Sequence, residues 1–131
     1  MIGLDTNVLV RYFVKDDPKQ TRQAADLIDK LTPTEPGWVG FAVLLELVWA
    51  ITRIYRVERG QVTRILDTLL ASQDIVVEQG DIVREALQLF RSAKADFPDC
   101  LIVASAKAAG CSRTVTFDRI AARDAGMELI G

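Results

Sequence analysis

Four carboxylates in this sequence stand where a carboxylate is either costly or placed at a sheet edge. Asp5 closes the apolar run Met1-Ile2-Gly3-Leu4 and precedes Thr6-Asn7-Val8-Leu9-Val10, a strand pattern handing over to a helical one. In a parallel α/β domain such a turn lies at the carboxyl edge of the sheet, where these folds place their ligands. Asp5 therefore belongs at the mouth of a potential site, although helix capping alone would also account for it. Glu46 is the only charged residue from Ala42 to Thr52, and its helical neighbours are Ala42, Val43, Trp49 and Ala50. A carboxylate on an apolar face is costly to bury unless paired. A partly exposed helix edge, a protonated Glu or an Arg partner would each remove that cost. Asp96-Phe97-Pro98-Asp99 reads as a capping-box-like start, with Asp96 as N-cap and Asp99 in the first turn. Asp99 also shares a face with Ile102 and Val103, in a stretch expected to look inward. Asp118 follows a strand as Asp5 does, with capping again the plain alternative.

Jointly these positions suggest more than capping. Four carboxylates converging in one cleft could not all stay ionised unaided, because like charges raise one another's pKa. A hard divalent cation resolves the conflict. The chain has no histidine, which removes Ser-His-Asp and Cys-His catalysis and every His-based metal site. All-oxygen ligands select Mg²⁺, with Mn²⁺ as its substitute. Such a centre activates water and neutralises charge on a phosphodiester, with one metal or two.

The elements that must position these groups follow from periodicity. A first strand ends at Asp5, and Val8 to Phe13 is helix-compatible. Asp17 as N-cap, Pro18 at the first helical position and Gln20 three residues after the cap start a second helix, carrying Ala24, Leu27, Ile28 and Leu31 on one stripe. Trp38 to Gly40 is a second strand and Phe41 to Tyr55 a long helix. Val62 to Leu70 gives another amphipathic helix, Ile75 to Val77 a third strand and Ile82 to Ala95 a further helix. The helix opened by Phe97-Pro98-Asp99 runs to Ala109. Thr114 to Phe117 is a fourth strand, Asp118 caps a short helix, and Met127 to Ile130 is a fifth strand. Strands alternating with helices predict one α/β domain over residues 1–131. Its architecture is a three-layer α/β/α fold on a central, mostly parallel five-stranded sheet.

Composition agrees. Of 131 residues, half are hydrophobic and about a quarter charged, which is globular. The longest uncharged apolar run, Trp38 to Leu45, is too short to span a bilayer. No basic region followed by an apolar stretch opens the chain, so a cytoplasmic protein without a membrane partner is expected. Cys100 and Cys111 show neither zinc spacing nor a disulfide framework and read as buried thiols. The net charge is −2; with four carboxylates set aside in a metal pocket, 14 acidic residues remain against 16 basic ones. The resulting +2 leaves a nucleic-acid partner open.

With these residues in view, Leu4-Asp5-Thr6-Asn7-Val8-Leu9-Val10-Arg11, Leu44-Leu45-Glu46-Leu47-Val48-Trp49, Asp96-Phe97-Pro98-Asp99-Cys100-Leu101-Ile102 and Thr116-Phe117-Asp118-Arg119 resemble the PIN domains. Among these they are most similar to the VapC-type ribonuclease toxins of type II toxin–antitoxin pairs. The resemblance covers essentially the whole chain in the same order. It implies that Asp5, Glu46, Asp99 and Asp118 form an acidic tetrad around Mg²⁺. Asp5 and Asp99 would be the main ligands, Glu46 would act through a coordinated water, and Asp118 would complete the pocket or hold a second ion. Asp96 matches a secondary acidic position, and Thr6, Asn7 and Thr116 match polar positions that orient the carboxylates. Pro98 stands where the family usually has a small residue, and it suits an early helix position. The resemblance further implies a cytoplasmic endoribonuclease that cuts single-stranded regions of RNA such as tRNA or rRNA, leaving a 5′-phosphate and a 3′-hydroxyl. It implies a homodimer inhibited by an antitoxin whose C-terminal segment covers the site.

For RNA grip, Arg11, Lys15, Arg53, Arg56, Arg59 and Arg119 are candidates, with Tyr12 and Tyr55 as stacking platforms. Arg11 and Arg119 lead because each follows a tetrad Asp closely in sequence. The alternative is a non-cleaving RNA-binding PIN module with a structural metal, though pure RNA binding gains nothing from so much negative charge. Aspartyl-phosphate chemistry fits poorly. Haloacid-dehalogenase-like phosphatases want a second Asp where this chain has Asn7, and receiver domains want paired acids after strand one and a Lys after the last strand.

Overall fold

The opening apolar run pairs as a strand, and it does so in parallel. The computed structural model describes all 131 residues, which divide into two compact units, Met1–Glu78 and Gln79–Gly131. The first holds β1 (Ile2–Gly3), α1 (Thr6–Val14), α2 (Pro18–Asp29), β2 (Gly37–Val39), α3 (Phe41–Arg53), α4 (Arg59–Ala71) and β3 (Ile75–Val77). The strand order is β1-β2-β3, with Ile2 opposite Gly37 and Trp38 opposite Val76. Parallel neighbours need crossovers rather than hairpins. Helices α1 and α2 supply the first crossover, α3 and α4 the second. Leu9, Val39, Leu44, Leu47, Ile51, Leu66 and Leu69 are fully buried and form this unit's core. The start of α2 is fixed locally: the Asp17 side chain accepts from the Gln20 N–H at 3.0 Å, with Pro18 following the cap.

Helix α3 is started differently. Its N-cap is Gly40, which has no side chain to offer, and a Cβ there would meet the Trp38 ring at 2.7 Å. The missing cap comes from the far end of β3, where Glu78 Oε1 accepts from the Phe41 N–H at 2.7 Å. A carboxylate here satisfies an orphan donor and complements the helix dipole. Replacing Glu78 with Ala should therefore cost about 1 kcal/mol, the usual worth of a cap. Urea unfolding checks this; an unchanged midpoint would show the bond to be dispensable.

The second unit holds α5 (Gly80–Ser92), α6 (Phe97–Ala108), β4 (Val115–Thr116), α7 (Arg119–Ala125) and β5 (Glu128–Leu129). Strand β4 pairs in parallel with β5, Val115 opposite Glu128, and α7 makes the crossover. Helices α5 and α6 pack along Val83, Ala86, Leu87 and Phe90 on one side and Phe97, Cys100, Leu101 and Ala104 on the other, all buried. Phe90 and Phe97 meet edge to face, ring centres 5.8 Å apart. Asp96 caps α6 by accepting from the Asp99 N–H at 3.0 Å. Asp118 caps α7 by accepting from the Ile120 and Ala121 N–H groups at 2.8 and 3.2 Å. Gly126 ends α7 at φ +78°, a left-handed position that favours glycine.

The α/β class, the element order and the parallel pairing all match the sequence reading. The five strands are hydrogen-bonded as a ladder of three and a ladder of two. Strands β1, β4 and β5 contribute only two residues each. One expectation is corrected: Cys100 is buried, but Cys111 is exposed. It lies past the end of α6, after Gly110 at φ +94°, so it never joins the helix's inner stripe. No helix is long and apolar enough to cross a membrane.

Candidate active site

Asp5 occupies the N-cap position of α1 with extended backbone, φ −80° and ψ 159°, yet its side chain makes no capping hydrogen bond. The structure thus removes the plainest account of why an acid stands there. Of the other acidic N-caps, Asp17, Asp96 and Asp118 accept backbone N–H groups, whereas Glu58, like Asp5, does not. The next residue carries a link instead. Thr6 is buried, and its hydroxyl donates to Glu46 Oε1 at 2.9 Å, across 40 residues of sequence. The turn after β1 and the middle of α3 are thereby tied together, and Glu46 is oriented by Thr6.

Glu46 itself is exposed, as are Ala42 and Trp49 beside it, the latter 57 % exposed. The inward stripe of α3 is Leu44, Leu47, Val48 and Ile51. The face chosen from sequence as apolar is apolar but looks outward, so the cost of burying a lone carboxylate does not arise. Of the alternatives raised above, the exposed helix edge is the one observed.

In the second unit the acids gather around Asp99. This residue is half-buried in the first turn of α6. Burial first, then the charges of Asp96 and Asp118, hold its carboxyl above the usual carboxylate range. Ile102, expected to share an inward face with it, is 52 % exposed; the inner stripe of α6 is Cys100, Leu101 and Ala104. The Thr116 hydroxyl accepts from the Asp118 N–H at 3.0 Å and so fixes the turn that presents Asp118.

Each unit therefore assembles its own acidic group: Asp5 beside the Thr6–Glu46 pair in the first, Asp96, Asp99 and Asp118 in the second. No three such side chains close around a single point. Asp99 and its neighbours are near enough to repel, not near enough to form a finished cage. The donors are all carboxylate and hydroxyl oxygens, which fits a hard divalent cation and no softer one.

The candidate RNA contacts have varied surroundings. Arg11 is engaged: its Nε donates to Gln20 Oε1 at 2.6 Å, and one terminal nitrogen reaches Asp16 at 3.3 Å and the Tyr55 hydroxyl at 3.2 Å. Its charge is partly balanced by Asp16. Tyr12 packs edge to face on Phe13, centres 5.1 Å apart. Lys15, Arg53, Arg56, Arg59 and Arg119 are exposed. Asn7 is exposed in the first turn of α1. Sequence reasoning overlooked Glu78, although it follows strand three as Asp5 and Asp118 follow theirs. Gln20, read from sequence only as part of a helix start, and Gln23, not singled out there, line a cleft between α1 and α2.

A family model described as "PIN domain" matches residues 2–126. The chain is similar to a protein named VapC ribonuclease from Aquifex aeolicus (strain VF5), with 29 % identity over 117 residues, 88 % of this chain and 86 % of that one. Among solved structures, a toxin–antitoxin complex from Klebsiella pneumoniae aligns at 19 % identity with a TM-score of 0.38, over 90 % of this chain and 87 % of that one.

Proposed function

This chain belongs to the PIN-domain family, and from that premise we propose that it is a Mg²⁺-dependent endoribonuclease, the toxin of a VapC-type toxin–antitoxin pair. In this reading residues 1–131 act as one domain, and Asp5, Glu46, Asp99 and Asp118 together hold the cation. The observation that carries it is at Asp5, an acid at the N-cap of α1 that makes no capping bond and directly precedes the buried Thr6 that holds Glu46. Around Asp99, whose carboxyl is held above the usual carboxylate range by burial and by Asp96 and Asp118, a bound cation would relieve the repulsion.

Asp5 and Asp99 would be the principal ligands, Glu46 would act through a coordinated water, Asp118 would complete the pocket or hold a second ion, and Asp96 would be a secondary support. When bound, Mg²⁺ or Mn²⁺ supplies an acidified water and neutralises charge on the phosphodiester. The chain's own residues do the rest. Thr6 holds Glu46 in place, and Thr116 fixes the Asp118 turn. Asp96 and Asp118 spend an oxygen each on capping, which locks the starts of α6 and α7. Exposed Arg53, Arg56 and Arg119 give the single-stranded RNA backbone cationic contacts, whereas Arg11, balanced by Asp16, contributes little charge. The partners in this reading are single-stranded regions of RNA such as tRNA or rRNA, a second copy of the chain, and an antitoxin whose C-terminal segment covers the site. Its setting is the cytoplasm.

Thr6 gives a contained test of the positioning role. Thr6→Val keeps the shape and deletes the donor, so stability should fall by only about 1 kcal/mol, since exposed Glu46 can rehydrate. RNA cleavage should fall roughly tenfold, equivalent to about 1.4 kcal/mol of misplaced carboxylate. Thermal melts and a cleavage assay read the two effects separately. The broader reading is tested by incubating purified protein with single-stranded RNA and Mg²⁺ or Mn²⁺. Metal-dependent cleavage is expected. RNA that is bound but left whole would favour a binding module with a structural metal.

A further inference from the structure

We propose that the cleft between α1 and α2 is a subsite that takes one unstacked adenine of the RNA strand; this rests on the ribonuclease reading above. The cleft has a volume of about 310 Å³, with Val8, Ala24 and Leu27 as its apolar lining and Arg11, Gln20 and Gln23 bringing polar groups to it. That size is at the small end of ligand pockets, which run from about 300 to 1,000 Å³, and suits one flat ring system.

Chemistry narrows the occupant. Arg11 is a poor phosphate clamp here because Asp16 lies 3.3 Å from it, balancing its charge. Its planar guanidinium is oriented by hydrogen bonds to Gln20 and Tyr55, at 2.6 and 3.2 Å. A fixed guanidinium plane beside aliphatic side chains is a surface on which a single-stranded base stacks. Gln20 is committed to Arg11 through its carbonyl oxygen, whereas the Gln23 amide is engaged by no protein group. A primary amide offers a donor and an acceptor side by side, and adenine presents the matching pair at N6 and N7. Asn7 also lines the cleft, two residues past Asp5 and one past the hydroxyl that holds Glu46. A base seated there would set which phosphodiester of the strand reaches the acidic residues of this unit.

The test uses the full chain and an RNA pool with a randomised single-stranded segment, cleaved with Mg²⁺ and sequenced at the new ends. Wild-type protein should favour adenine at one fixed distance from the cut. Gln23→Leu, which keeps the length and removes both polar groups, should flatten that preference roughly tenfold, as loss of one bidentate base contact does. Gln23 is exposed on α2, and an unchanged melting temperature would show that the variant is folded. Cleavage by the wild type with no base preference, or a preference that Gln23→Leu leaves intact, would overturn the subsite while the ribonuclease reading stands. No cleavage of any RNA by the wild type would overturn that reading and the subsite with it.

Discussion

Replacing Asp99 with Asn is expected to lower RNA cleavage by about a thousandfold or more, while making the metal-free protein more stable. The activity loss follows from the proposed role of Asp99 as a charged ligand, since metal-borne stabilisation of developing charge would be worth several kcal/mol and each 1.36 kcal/mol is tenfold in rate. The stability gain follows from the environment of the carboxyl. Its pKa in the folded protein lies above the ordinary 3.8, because of burial and then Asp96 and Asp118. A carboxyl of that kind binds its proton more tightly folded than unfolded. Its favourable contribution is complete below the unfolded value and is lost as pH rises through the raised folded one. At neutral pH the wild type carries the cost of an ionised Asp99, and Asn does not. The variant should therefore unfold at higher temperature at pH 7 without metal, and the advantage should shrink as pH falls toward 3.8. Melting curves across that range check it. A variant less stable than wild type at pH 7 would mean that the carboxylate is held by favourable partners instead.

Phe97→Ala has the largest expected effect on the fold. Phe97 is 1 % exposed, sits in the first turn of α6 between the capping Asp96 and Asp99, and packs edge to face on Phe90. Truncating a buried Phe costs about 3–5 kcal/mol through lost transfer energy and the cavity left behind. A domain of this size has only about 5–15 kcal/mol in total. The midpoint of thermal unfolding should fall by roughly 10 °C or more. Phe97→Leu, which keeps most of the volume, should cost much less. Equal losses from the two would point to the ring contact rather than the filled space as the source of stability.

The contrast between these residues shows what a linear sequence carries. Local punctuation was legible: Asp17-Pro18 and Asp96-Phe97-Pro98 name their helix starts because caps act over three residues. The alternation of elements, and with it the α/β class, was legible for the same reason. The buried side of α3 was not, because apolar residues surround that helix and Glu46 alone breaks the pattern. Periodicity cannot select a stripe when every stripe is apolar. Nor could it find Glu78, whose partner Phe41 lies 37 residues earlier and is defined only once β3 lies beside β2. Cys111 was misjudged because helix-type residues surround it, while Gly110 takes the chain out of the helix just before it. The acidic positions themselves stood out early, since a carboxylate after a short apolar strand is visible without a structure. That Asp5 does no capping, and that Thr6 reaches Glu46, required coordinates.

The proposed function depends on Asp5, Glu46, Asp99 and Asp118 serving one cation. Titrating Mn²⁺ into the wild type, Asp5→Asn and Asp99→Asn, with free Mn²⁺ followed by its paramagnetic resonance signal, measures this without RNA or turnover. Substitution in either unit is predicted to weaken binding at least tenfold. Wild-type affinity retained by Asp5→Asn while Asp99→Asn loses it would contradict the shared site.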